Sequence, residues 1–237
     1  MKIYAVNIDK DLVNHQFNDL LLWLDNDKRH RIQSFFHYKD AQRTLIGDIL
    51  TRYMLIHYLK FSPDKISFET NKFGKPFIMT SDRLSVYFNL SHSGSWVVCV
   101  LGEVENGIDI QKIEDIDMNV AQRFFSHEEY AALLELSEKE RIDYFYHLWT
   151  LKESYIKAIG EGLSIPLNSF LIQSTDANQY VSSTSNNKVY LQSYYIDSNH
   201  KMAVCSFEND FTEKIVKITN ENLYYLYTEL SNHTTSK

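Results

Sequence analysis

Residues 2–8, Lys-Ile-Tyr-Ala-Val-Asn-Ile, alternate enough to read as a first strand. Downstream the apolar spacing changes from two to three and four. Residues 16–24 and 27–59 read as helical, with Leu45, Ile49, Tyr53 and Ile56 along one face of the second stretch. Ser62-Pro63 and Asn71-Lys72-Phe73-Gly74-Lys75-Pro76 interrupt the pattern as turns. Residues 87–90 and 96–101 read as strands joined by a Ser91-His92-Ser93-Gly94-Ser95 turn, and 107–111 as another strand. Residues 118–136 and 140–159 return to helical spacing, the latter closed by Gly160 and Gly162 with Pro166 beyond. A polar loop is expected over 182–188, then a hairpin of 189–196 with 201–207. The pattern from Glu213 is weak, and 231–237 is expected to fray.

One stretch has an echo. Ser91-His92-Ser93-Gly94-Ser95-Trp96-Val97-Val98-Cys99-Val100 resembles Ser198-Asn199-His200-Lys201-Met202-Ala203-Val204-Cys205-Ser206, a polar turn leading into a Val-Cys strand. A true duplication would make the fold α+β, two related halves with a crevice between them. No Pro/Gly/Ser-rich linker divides the 237 residues, so one compact body is expected.

Charge narrows the partners. The net charge of −7 argues against a general nucleic-acid or membrane binder. Of the 24 basic and 31 acidic residues, 13 of each lie in residues 1–111, so the later part holds 11 basic and 18 acidic. The earlier part is therefore neutral but locally basic around Lys28-Arg29-His30-Arg31, and a small polyanion would prefer it. The chain opens on a strand pattern rather than a signal peptide, and no apolar run is long enough to span a bilayer. Cys99 and Cys205 sit in apolar runs, as buried free thiols do in a reducing cytoplasm.

In a strand, Ile108 and Ile110 face one way while Asp109 and Gln111 face the other. In the helix Trp149-Thr150-Leu151-Lys152-Glu153-Ser154-Tyr155-Ile156-Lys157-Ala158, Glu153 and Lys157 share a face. That pair is either an ordinary surface contact or a metal ligand beside a phosphate clamp. Mg²⁺ takes hard oxygen ligands, often one or two carboxylates with waters and phosphates. Asp109 and Glu153 fit if the helix packs on the strand, and Gln111 can add an amide oxygen directly or through water. For Asp109 and Gln111 alone, a solvent-facing strand edge is the commoner outcome. Asn89-Leu90-Ser91-His92-Ser93 lacks the Gly-x-Ser-x-Gly surround of a hydrolase nucleophile, which leaves anion binding or turn chemistry. Lys75 is presented by a rigid turn. Lys28, Arg29, Arg31 and the Arg43-Thr44 pair lie on predicted helices, where two or three could converge on a phosphate. No Walker or dinucleotide glycine motif occurs, and the nine histidines lack zinc spacing.

Taken in order, Arg43-Thr44-Leu45-Ile46-Gly47-Asp48, Phe73-Gly74-Lys75-Pro76, Phe88-Asn89-Leu90-Ser91-His92-Ser93, Gly107-Ile108-Asp109-Ile110, Arg123-Phe124-Phe125-Ser126 and Phe145-Tyr146-His147-Leu148-Trp149-Thr150-Leu151-Lys152-Glu153-Ser154-Tyr155-Ile156-Lys157 resemble the 4′-phosphopantetheinyl transferases. The similarity is to the larger type that activates surfactin and gramicidin synthetases, and runs from Met1 to about Asp210. It implies a pseudo-twofold α/β body of residues 1–107 and 108–237 with coenzyme A and Mg²⁺ between the halves. It also implies roles: Asp109 and Glu153 as metal carboxylates, Lys157 and His92 as pyrophosphate ligands, and Ser91, Lys75, Arg43, Thr44, Lys28 and Arg31 as nucleotide and 3′-phosphate contacts. Phe124 and Phe125 fall where such enzymes receive the carrier protein. Many relatives carry Glu at the place of Gln111, and a lysine is common at Arg31.

The activity so implied is transfer of the 4′-phosphopantetheine arm to a serine of an apo peptidyl or acyl carrier protein, releasing 3′,5′-ADP, by a cytoplasmic monomer. Glu153 is the candidate general base, with Glu129 or solvent as alternatives. The competing readings are a non-catalytic coenzyme A or nucleotide module and a metal-dependent phosphohydrolase.

Overall fold

A computed structural model describes residues 1–79, 86–176, 178–184 and 187–234. In chain order its elements are β1 (Lys2–Asn7), α1 (Asn14–Leu21), α2 (Asn26–Gln33), α3 (Tyr38–Leu59), β2 (Phe68–Thr70), β3 (Pro76–Ile78), β4 (Tyr87–Ser93), β5 (Trp96–Gly102), β6 (Asn106–Lys112), α4 (Asn119–Phe124), α5 (His127–Leu134), α6 (Glu138–Ile159), β7 (Gln173–Asp176), β8 (Gln179–Thr184), β9 (Asn187–Tyr194), β10 (His200–Ser206), β11 (Ile215–Thr219) and α7 (Asn220–Thr234).

Two sheets carry the α+β body, ordered β11-β1-β5-β4 and β6-β10-β9-β8-β7, with β2 and β3 as a small separate hairpin. The two-residue period of each strand assigns its faces. In β1 and β5, Ile3, Ala5, Trp96, Val98 and Val100 face one core; Tyr4, Val6, Val97, Cys99 and Leu101 face another with α3. In β6 and β10, Ile108, Ile110, Met202 and Val204 join the first of these cores, while Ala203 and Cys205 pack with α6 residues. Each sheet therefore turns one face to a shared core and the other to its own 22-residue helix. Cys99 lies under α3 and Cys205 under α6, which gives the Val-Cys echo its structural meaning. Both thiols are fully buried, and burial pushes each far up, Cys99 to about 12.

The sheets meet edge to edge at β4 and β6 through side chains. Ile108 N donates to Asn89 Oδ1 at 3.0 Å, Ile110 N to Ser91 Oγ at 3.3 Å and Lys112 N to Ser93 Oγ at 3.0 Å. Alternate residues of β4 thus satisfy the edge N–H groups that β6 would otherwise leave bare. The Asn-x-Ser-x-Ser pattern is a strand-edge ladder, and the turn shrinks to Gly94-Ser95.

Other expectations change as well. The helix over 27–59 is two helices, broken between Gln33 and Tyr38, with Phe36 93% exposed at the bend. The helix over 118–136 is broken at Ser126, whose side chain accepts from Glu129 N while Glu129 accepts from Ser126 N, a capping box. Residues 182–184 and 187–188 extend β8 and β9 instead of forming a loop; 185 and 186 lie outside the described residues. The tail forms β11, parallel to β1, and α7, which packs on α3. Ser231 is buried in α7 rather than frayed, and 235–237 lie outside the described residues. Among the described residues no helix is long and apolar enough to cross a membrane.

Candidate functional site

Gly107 sets how the site closes. A Cβ there would stand 2.1 Å from the Ser154 carbonyl oxygen and 2.4 Å from the Ala158 nitrogen, so α6 lies directly on β6. No residue with a side chain allows that approach. Two residues on, on the same face, Asp109 reaches across to α6. Its carboxylate, 1% exposed, takes the Lys157 ammonium at 2.6 Å and the Ser91 hydroxyl at 2.8 Å on Oδ1, and Gln111 Nε2 at 3.2 Å on Oδ2. Lys157 also donates to Ser91 Oγ at 2.9 Å.

Glu153 lies one turn before Lys157, half-buried, and lines the same cavity. Burial, then the neighbouring Asp109 charge, push its carboxyl above the ordinary glutamate range, and Lys157 opposes them. Among the described residues no hydrogen bond or ion pair satisfies Glu153. The two acids sit in a cavity of about 550 Å³ that also holds Gln111, Lys157, Ser91, His92, Lys28, Arg31, Arg43 and Thr44. Asp109, Gln111, Glu153 and Lys157 of β6 and α6 make one, acidic end; Lys28, Arg31, Arg43 and Thr44 of α2 and α3, with Asp48 among them, make the other, basic end. Leu24, Ile32, Phe68, Phe88 and Val97 supply apolar wall.

His92 is open to the cavity, yet the surrounding protein, then Arg43 and Lys157, hold its pKa below the usual histidine value. A cleft side chain can touch solvent and still lose most of its hydration. The imidazole is thus neutral at neutral pH and offers one donor rather than a fixed charge. Arg43 is braced by donating to Gly94 O from Nε at 3.2 Å and Nη2 at 2.9 Å, and to Asp40 at 2.8 Å. Thr44 donates to Asp40 O at 2.9 Å.

Lys75 is the expected contact that the cavity does not take in. It lies in an adjoining depression and donates to Ala158 O at 2.9 Å and Asn106 O at 3.2 Å, where it caps the end of α6. Burial lowers its pKa. Ser91 is buried, and its hydroxyl is directed onto Asp109, so it orients the acid and Lys157. Glu129 is no candidate base: it pairs with Lys152 at 2.8 Å, away from the cavity, and accepts from Ser126 N and Ile172 N. Phe125, 3% exposed and against Phe145, is core, which leaves only half-buried Phe124 at the surface. Sequence reasoning gave no role to Asp48 or to the Phe68 and Phe88 wall. The Arg43 to Asp48 motif was the available signal for the first.

The chain matches two family models, "4′-phosphopantetheinyl transferase, N-terminal" over residues 12–104 and "4′-phosphopantetheinyl transferase superfamily" over 105–205. It is 39% identical over 225 residues to 4′-phosphopantetheinyl transferase Sfp of Bacillus subtilis (strain 168), covering 94% of this chain and 100% of that one. It is 35% identical over 230 residues to 4′-phosphopantetheinyl transferase gsp of Aneurinibacillus migulanus, covering 96% and 95%.

Proposed function

The chain belongs to the 4′-phosphopantetheinyl transferase superfamily, and from that membership we propose how its crevice performs the reaction. It is an enzyme that transfers the 4′-phosphopantetheine group of coenzyme A to a serine of a carrier protein. The observation that carries the finer reading is the unpartnered Glu153 facing Asp109 at the acidic end of a cavity whose other end is basic.

Two carboxylates with an adjacent amide oxygen suit Mg²⁺, which binds through one or two carboxylates and fills its shell with water and phosphate. Asp109, Glu153 and Gln111 would hold it. When bound, Mg²⁺ supplies charge that offsets the negative charge building on the pyrophosphate.

The chain's residues do the rest. Lys157, already held by Asp109 and Ser91, presents its ammonium to the pyrophosphate. His92 donates a hydrogen bond there, and Lys28, Arg31, Arg43 and Thr44 take the nucleotide and its 3′-phosphate. The carrier serine oxygen forms a bond to the phosphorus nearest the pantetheine as the pyrophosphate bridge breaks. The serine proton passes to Glu153, directly or through water, and 3′,5′-ADP leaves. Holding Mg²⁺ as well would weaken Glu153 as a base, so solvent water is the other acceptor for that proton. Nucleotide contacts thus fall in residues 1–107 and the metal-binding helix and carrier face in 108–237, with 215–234 returning to the first sheet. Both halves of the crevice come from one chain, which supports a monomer. A peptidyl or acyl carrier in the cytoplasm is the expected partner.

The test is to incubate the protein with coenzyme A, with and without an apo carrier and with and without EDTA, and to quantify 3′,5′-ADP. Product is expected only with the carrier and only without the chelator. Product without carrier would mean hydrolysis, and product in EDTA would overturn the metal assignment.

A further inference from the structure

Asp48 has no role in the reading above, yet it lines the same cavity at the basic end. It follows Thr44 by one turn of α3, and its side chain is 11% exposed. One carboxylate oxygen accepts from the Lys28 ammonium and the other from Arg52 Nε at 2.5 Å. Arg52 is fixed from its far side by donating to Ile66 O at 3.2 Å, which gives the carboxylate a firm backing. Both cations lie over the Phe68 ring, Lys28 Nζ at 4.6 Å and the Arg52 guanidinium at 5.2 Å from its centre. A lysine on a free four-carbon stem is a mobile point charge. Here one of its three donors is pinned to a wall and the others keep defined directions.

We propose that Asp48 is a positioning residue that makes Lys28 selective for a terminal phosphomonoester. This rests on the reading above, which places the 3′-phosphate of coenzyme A at the basic end. A free lysine attracts any anion. A lysine whose charge is partly offset by Asp48 attracts anions less, but rewards a phosphate that meets its fixed donors. Selectivity therefore comes from the pair, not from Lys28 alone.

The test compares binding of coenzyme A and 3′-dephospho-coenzyme A by titration calorimetry on the full chain. Wild type should prefer the 3′-phosphorylated ligand. Asp48→Asn should cut that preference by about tenfold, the order of one hydrogen bond to a charged group. Lys28→Met should cut it too, and Lys28→Met/Asp48→Asn no further than Lys28→Met. An Asp48→Asn preference that is unchanged or raised would reduce Asp48 to a counter-ion and overturn the inference. Equal binding of both ligands by wild type would instead overturn the placement of the 3′-phosphate. Should Asp48→Asn fail to fold with Arg52 stranded, Asp48→Asn/Arg52→Met removes that buried charge and is read in the same way.

Discussion

Helix α6 supplies the lysines of two lysine–carboxylate pairs, Lys152 with Glu129 and Lys157 with Asp109, little more than a turn apart, and their surroundings are opposite. Lys152 is fully buried, and its ammonium donates to Leu167 O, Phe170 O and Glu129, which satisfies all three donors. Burial pulls its pKa below the usual lysine range while Glu129 pulls back. Glu129 is equally occupied, by Lys152 and two backbone N–H groups. Nothing is left to bind a ligand, so this pair can only hold α5, α6 and the 167–172 segment together. Lys157 is 27% exposed at a cavity, and its partner Asp109 has a second, unpartnered acid beside it. A lysine of one helix, paired with a carboxylate from a neighbouring element, is a fastener in one place and lines the proposed site in the other. What separates them is unfilled coordination, not charge or burial alone.

The largest effect should come from breaking the second pair's neighbourhood. Asp109→Ala and Glu153→Gln should each lower transfer by about three orders of magnitude, the upper range for losing a group that stabilises developing charge. Circular dichroism should show both variants folded. The first pair should answer in stability instead. Lys152→Met strands a buried carboxylate and should cost about 3 kcal/mol in urea unfolding. Lys152→Met/Glu129→Gln should recover most of that, because no unpaired charge remains. A double variant as unstable as the single would show that packing, not charge, dominates there.

Glu153 predicts a smaller shift of opposite sign. Its folded pKa lies above that of an unfolded glutamate, so its contribution to stability is present in acid and lost as pH rises through the folded value. Near neutral pH the ionised Glu153 therefore weakens the fold. Glu153→Gln should raise Tm near pH 7, with the gain shrinking toward pH 4; an unchanged Tm at both would refute the burial argument. The smallest effect is at Gln111. Gln111→Glu adds a third carboxylate and should tighten Mg²⁺ several-fold by calorimetry.

The comparison also marks how far the sequence could be read. The strand over 107–111 and the helix over 140–159 were legible from local period, whereas the meeting of Asp109 with Glu153 and Lys157 was expected only if that helix packs on that strand, as the resemblance implied. Of the ladder, Asn89 was read as strand but Ser91 and Ser93 as a turn, since their partners on β6 are distant in sequence. The α2–α3 bend carries no glycine or proline to mark it. The 118–136 break did have a signal, the Ser126-x-x-Glu129 box, which apolar spacing masked. Helix α7 was hidden because its buried positions, Asn220, Leu223, Tyr227 and Ser231, are half polar. Lys75 was read as a contact because a turn presents it; its carbonyl partners on β6 and α6, distant in sequence, were not legible there.

The most direct test is Mn²⁺ binding, followed by electron paramagnetic resonance with coenzyme A present, in wild type, Asp109→Ala and Glu153→Gln. Both variants should bind at least about tenfold more weakly, as expected when a divalent ion loses one of two carboxylate ligands. Wild-type affinity in either would mean that these acids do not share one ion.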